Sequence, residues 1–187
     1  MTLIYIFIGI SILFFIVLAA MYNGLISKRN NVEFAFGSID VMLKKRHDLI
    51  PNLVSTVKGY MTHEQNLLTQ ITALRNEAMQ AKASENDRFQ TEGKLSAMLG
   101  KIQIAVESYP NLKANTNFLQ LQATLNEVEE QLSAARRAYN ASIKTYNDAV
   151  EMIPTNIMAQ MMGLERRASF EITEAESRNV NVAEHLN

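Results

Sequence analysis

The alternation of apolar and polar positions divides this chain into two unequal stretches. Residues 1–27 contain no Asp, Glu, Lys, Arg or His, and residues 3–21 are interrupted only by Gly9, Ser11 and the pair Ala19 and Ala20. About 20 apolar residues at roughly 1.5 Å per residue match the roughly 30 Å of hydrocarbon in a bilayer, so this run predicts a transmembrane helix. A cleaved secretory signal, with Ala19 and Ala20 ahead of the cut, is the competing reading. Such a signal wants a charged n-region and a shorter apolar core, and no Lys or Arg precedes this run. Lys28 and Arg29 follow it directly, which by the positive-inside rule favours an outside N-terminus and a cytoplasmic remainder.

Beyond the anchor the pattern is helical. Val32, Phe36, Ile39, Leu43, Arg46, Ile50, Leu53, Val57 and Tyr60 alternate four and three apart, a single stripe on one helix face whose only non-apolar member is Arg46. Pro51 falls inside the run, where it removes a backbone donor and presses on the His47 carbonyl. The stripe keeps its phase across Pro51 and Ile50 is a poor N-cap, so a kinked helix is expected rather than a new one. The freed carbonyl near His47 then needs a donor, which an Asn or Arg can supply.

Gly59 and Tyr60 close this helix, and Thr62 with Gln65 reads as a capping box for the next, which carries Leu67, Ile71, Leu74, Ala78 and Ala81. The polar stretch 83–94, with Ser84, Asn86 and Asp87, reads as a connection. A third helix holds Leu95, Leu99, Ile102 and Val106 and stops before Pro110. The last and longest, over 112–152, carries Phe118, Leu121, Leu125, Val128, Leu132, Ala135, Tyr139, Ser142, Tyr146 and Ala149 until Pro154. Phe170, Ile172, Val180 and Val182 hint at short extended segments in a tail polar enough to be disordered.

The expected fold is all-α: a transmembrane helix (1–27), an elongated antiparallel bundle of about four helices, two of them long, with coiled-coil-like packing (28–153), then a short helix and polar tail (154–187). The 18 Lys and Arg and 19 Asp and Glu all lie after the anchor and nearly cancel. Without clustered positive charge, neither nucleic acid nor a polybasic lipid patch is indicated. Zero cysteines exclude disulfides, thiolate zinc sites and cysteine nucleophiles.

Candidate chemistry is sparse. His47 precedes Asp48 and His63 precedes Glu64, but neither has the second His that a zinc-protease helix requires. Gly93 and Gly100 lack the Lys and Ser or Thr of a phosphate loop, and Ser55 and Ser142 have no base in view. No enzyme activity, metal or cofactor is expected.

Four strings carry a family resemblance: RHDLIPNLVSTVKGY at 46–60, YPNLKANTNFLQLQATL at 109–125, RRAYNASIKTYN at 136–147 and IPTN at 153–156. In order and separation they resemble the successive motifs of the LemA family, across essentially the whole chain. The resemblance implies a single-pass bacterial inner-membrane protein with its N-terminus outside and a helical bundle in the cytoplasm. It brings no catalytic residues. Some members are associated with magnetosome membranes or with membrane proteostasis beside metalloproteases.

Within those strings, Tyr139 and Tyr146 share a face with Asn140 and Asn147 beside them. Together with Arg46, Asp48, Asn52, Asn117 and Arg137 they read as a polar cluster that satisfies itself along the bundle seam and fixes helix register, or as a ligand or partner site. Met158, Met161 and Met162 lie in a short segment that either caps the bundle, with Gly163 as its stop, or forms an interaction patch. The function expected is a non-enzymatic scaffold or interaction protein, anchored in the lipid bilayer and associating with itself as a homo-oligomer or with other membrane proteins. An adaptor or sensor for a membrane protease or signalling partner is the alternative, and an unrecognised enzyme a third.

Overall fold

The computed structural model describes residues 2–80 and 85–169. Among these, every regular element is helical: α1 (Thr2–Lys58), α2 (Gln65–Gln80), α3 (Glu85–Val106), α4 (Pro110–Lys113), α5 (Thr116–Glu151) and α6 (Thr155–Met161). The extended segments expected around Phe170, Ile172, Val180 and Val182 lie outside the described residues. The chain forms two compact units, one from Met1–Phe36 with Arg136–Asn187 and one from Gly37–Ala135. These cut across the boundary expected at residue 27, because α1 passes from the apolar run into the packed region without a break.

In the Gly37–Ala135 unit, the α1 stripe is buried as its spacing predicts, at Ile39, Leu43, Arg46, Ile50, Leu53 and Val57. Ile50, Leu53 and Val57 join Leu68 and Ile71 of α2, Leu95, Ile102 and Val106 of α3, Leu112 of α4 and Phe118 of α5 in one apolar core. The helix continues through Pro51, whose ring faces solvent. The His47 carbonyl that the proline frees accepts a hydrogen bond from Arg75 Nε of α2 at 2.7 Å. A side chain from the next helix thus supplies the missing donor.

Four local expectations are corrected. Tyr60, the last member of the stripe, is exposed, and the fully buried Met61 takes its place in the core. Met61 draws the chain into a turn closed by Glu64 N to Met61 O at 3.2 Å, so α2 begins at Gln65 and Thr62 does not cap it. The longest helix begins at Thr116 rather than 112: Leu112 sits in the one-turn α4, and Asn115 Oδ1 caps α5 by accepting from Phe118 N at 3.0 Å. Asn115 Nδ2 also donates to the Tyr60 hydroxyl at 3.0 Å. Finally, Asn86 and Asp87 lie inside α3, not in a connection, because α3 starts nearly three turns ahead of its apolar stripe.

In the other unit, α1 up to Phe36 packs against α5 from Arg136 onward, burying Leu25, Val32 and Ala35 with Tyr139, Ile143 and Tyr146. The Phe36 and Tyr139 rings meet at 5.7 Å between centroids. Lys28 and Asn31 face Ala141, Ser142 and Thr145 across a shallow groove, so residue numbers fall along α1 as they rise along α5. The short helix α6 follows and buries Ala159. It ends where the spacing predicts: Gly163 adopts φ +64, Gly163 N donates to Gln160 O at 3.1 Å and Leu164 N to Ala159 O at 2.9 Å. That double closure is the Schellman stop, which needs a residue tolerant of the left-handed region.

Residues 2–10 and 12–17 of α1 are exposed among the described residues. Among the described residues, α1 is the one helix long and apolar enough to cross a membrane, and none of its apolar window is buried within the protein.

Candidate functional site

The most concentrated polar chemistry among the described residues surrounds Arg46. On a face otherwise apolar, its side chain is only 1% exposed, and a buried guanidinium must be paired. Its Nη2 pairs with Glu92 Oε2 of α3, which is wholly buried, and reaches the Glu92 carbonyl at 3.4 Å. Its Nη1 donates to Ser96 Oγ at 2.6 Å and to Glu129 Oε2 of α5 at 2.9 Å. His47, the next residue on α1, completes the group with Nε2 at 2.8 Å from Glu92 Oε1. One buried carboxylate therefore bridges two adjacent α1 side chains, and one guanidinium ties α1 to both α3 and α5.

Burial acts to raise the Glu92 pKa, but the His47 hydrogen bond and the charges of Arg46 and His47 outweigh it and hold the carboxyl below its ordinary value. The side chain is thus an anion at neutral pH and a poor proton donor. Because the folded value is depressed, Glu92 contributes stability that is complete above the unfolded pKa, about 4.3, and is lost as the pH falls through the folded value. The stability gap between the natural chain and a Glu92→Gln variant should accordingly stay constant through neutral pH and narrow below about pH 4, as read by urea titrations across that range. A gap that widened in acid would contradict the depressed pKa.

A cleft of about 270 Å³ opens beside Arg46, with Ser96 and Glu129 at its polar end and Leu53, Phe118 and Leu125 along its wall. Leu125 lines this cleft and is half-buried, not sealed in the seam. The Arg46 charge disfavours a metal ion here, and among the described residues no three His, Asp or Glu side chains are placed to hold one.

A second polar group lies in the other unit and has a different task. Asn147 makes a two-way clasp on the chain after α6, with Nδ2 donating to Arg167 O at 2.8 Å and Oδ1 accepting from Arg167 N at 2.9 Å. The Tyr146 hydroxyl donates to Glu165 O at 3.0 Å, and the Arg167 guanidinium lies over the Tyr146 ring at 5.6 Å. Arg167 also reaches Glu33 of α1 at 3.7 Å. An Asn147→Ala chain leaves two backbone groups without these partners, a loss of about 1–3 kcal/mol that falls on this segment. Trypsin should therefore cut after Arg166 and Arg167 markedly faster in the variant than in the natural chain; equal rates would show that the clasp does not hold the segment.

The nine polar residues expected as one cluster are thus dispersed. Arg46 belongs to the Gly37–Ala135 unit, while Tyr139, Tyr146 and Asn147 are buried in the other. Asn140 is half-buried, and Asp48, Asn52, Asn117 and Arg137 are exposed. The residues that sequence reasoning missed are Glu92, Ser96 and Glu129 around Arg46, and Glu165 and Arg167 at the clasp. The signal for Glu92 was available: a stripe arginine requires a carboxylate, and Glu92 lies two turns before Leu99 on α3. Of the methionine patch, Met161 is exposed while Met158 and Met162 are half-buried.

The strings around these two groups have counterparts elsewhere. The LemA family profile matches residues 35–183, most of the chain. The chain belongs to the LemA family. It is similar to Protein LemA of Metamycoplasma hominis, with 25% identity over 94% of this chain and 80% of that protein. It is also similar to magnetosome protein MamQ 2 of Paramagnetospirillum magneticum, at 21% identity over 84% of this chain and 67% of that one. The likeness to magnetosome protein MamQ of Magnetospirillum gryphiswaldense is also 21%, covering 82% and 65%. Within this LemA chain, the 46–60 string supplies Arg46 and His47 to the buried network, and the 136–147 string ends in the Tyr146 and Asn147 clasp.

Proposed function

We propose that this LemA family chain is a non-enzymatic scaffold or interaction protein, anchored by α1 in a bacterial cytoplasmic membrane and self-associating there. The observation that carries the reading is the continuity of α1: one helix contains both a bare apolar run of membrane-spanning length and the residues that pack against α5. Among the described residues nothing covers that run, so lipid is its natural surroundings. Lys28 and Arg29 beyond it favour a cytoplasmic bundle and an outside N-terminus.

Two further observations support a role without catalysis. The titratable groups that converge at Arg46 neutralise one another, which suits a register lock better than proton transfer. Several relatives are named for an assembly, the magnetosome, rather than for a reaction. Exposed apolar side chains on the helices, Val41, Ile104 and Leu119 among them, offer contact points for neighbouring copies.

Light scattering on the full-length chain in mild detergent, with the detergent contribution subtracted, tests self-association. A defined multiple of 21.1 kDa supports it. A monomer overturns it and favours the second reading, an adaptor or sensor for a membrane protease or signalling partner, to which the cleft beside Arg46 would lend a ligand site.

A further inference from the structure

The end of the α1–α5 pair carries a second apolar surface. Met152, Ile153, Ile157 and Met161 are 63%, 82%, 61% and 80% exposed. Ile157 and Met161 are four apart on α6 and so project from one side of it, and Met152 and Ile153 are exposed in the turn that leads into it. The opposite side of α6 holds the buried Ala159 and the half-buried Met158 and Met162. This helix therefore carries apolar side chains on both sides, one set packed on the protein and the other, with Gln160 beside it, uncovered among the described residues.

The antiparallel register locates that outer side. Phe36 meets Tyr139, and Lys28 and Asn31 lie opposite Ala141 to Thr145. Continued in the same steps, the pairing brings Met152 level with Tyr22, where the bare apolar run of α1 ends. The clasp of Tyr146 and Asn147 on Glu165 and Arg167 then returns the chain toward Glu33, so α6 is the turning point. An apolar helix held at the level where α1 leaves hydrocarbon sits at the depth of the headgroups.

We infer that α6 is an interfacial helix: Met152, Ile153, Ile157 and Met161 enter the headgroup–acyl boundary of the same bilayer that α1 crosses, giving the anchor a second, lateral contact. Such burial reaches roughly 5–10 Å and uses long apolar side chains on one face. Methionine and isoleucine suit that task, because they present apolar area without fixed polar atoms. The inference rests on α1 being membrane-spanning, and it holds for either orientation of the chain. With α1 alone, the continuous helix and the α5 segment packed on it can tilt and rotate together in the bilayer; with α6 seated, that tilt and rotation are restricted.

The absence of cysteine makes the test direct, since single cysteines can be placed at will. Full-length chains carrying Ile153→Cys, Met161→Cys, the water-facing Lys144→Cys or the mid-anchor Phe15→Cys are labelled with an environment-sensitive nitrobenzoxadiazole dye. They are reconstituted in phosphatidylcholine vesicles with and without a shallow spin-labelled lipid quencher. The expected result is a blue-shifted emission and strong quenching at 153 and 161, with neither at 144. Quenching at 153 and 161 no greater than at 144, while position 15 reports hydrocarbon, would overturn the inference and leave the anchor intact. A blue shift without quenching would show that protein, such as a second copy, covers the patch, and also overturns it. A water-exposed position 15 would remove the anchor and this inference together.

Discussion

A Glu92→Leu chain is expected to unfold with a free energy about 3–5 kcal/mol below that of the natural protein, because it leaves the buried Arg46 guanidinium without its buried counter-charge. Glu129 remains within reach at 2.9 Å, but it is half exposed and meets only Nη1. His47 simultaneously loses its contact with Glu92 Oε1. Arg46→Met should cost a similar amount by stranding the carboxylate. The double replacement, Arg46→Met with Glu92→Leu, should lose much less stability than the sum of the two single losses, since an apolar pair of similar volume needs no compensation. Urea denaturation of the four chains, followed by far-ultraviolet circular dichroism in detergent, measures the coupling. Single variants within about 1 kcal/mol of the natural chain would show that the network carries little of the fold's stability.

The second large effect is expected at the opposite end of α1. Introducing two charges into the bare run, Ile12→Lys with Phe15→Arg, costs about 2.5–3.5 kcal/mol for each residue at the middle of a span. The pair should shift the chain from vesicle-bound to free in a flotation gradient, while the melting of the Gly37–Ala135 unit stays unchanged. These positions are exposed and lie outside the buried core, so loss of membrane binding with an unchanged melt is not a consequence of unfolding. Undiminished flotation would mean that the run is not in hydrocarbon.

What the sequence disclosed followed the reach of periodicity. The α1 stripe, its passage through Pro51, the burial of Ile71 and Ile102, and the stop at Gly163 were all legible, because each depends on spacing or on a single residue's conformational range. The first two turns of α3 were not, because their inward face is built from Glu92 and Thr91 rather than from apolar residues. A stripe search counts such positions as loop. Tertiary pairing through Arg46, and the ion pair of Arg88 with Asp40 at 2.8 Å, hold them helical.

The polar cluster was dispersed for a related reason. Periodicity assigns Arg46, Tyr139 and Tyr146 to faces of their helices but gives no level along them. α1 and α5 each pass through both units, so residues that share a pattern fall in different units. Asn147 read as a seam residue from its position beside Tyr146. Its actual partner, the backbone of Arg167, lies in a stretch with no periodic signal. The start of α5 shows the same limit in miniature, since no Gly or Pro separates Leu112 from Phe118, yet Leu112 belongs to the one-turn α4.

The central claim is that α1 crosses a bilayer and keeps the rest of the chain beside it. Alkaline carbonate extraction of membranes from cells producing the full-length protein tests it most directly, because high pH strips peripheral proteins and leaves spanning ones. Recovery of the whole 21.1 kDa chain in the washed membrane pellet is the predicted result. Release into the supernatant, whole or shortened by the loss of residues 1–20, would contradict it.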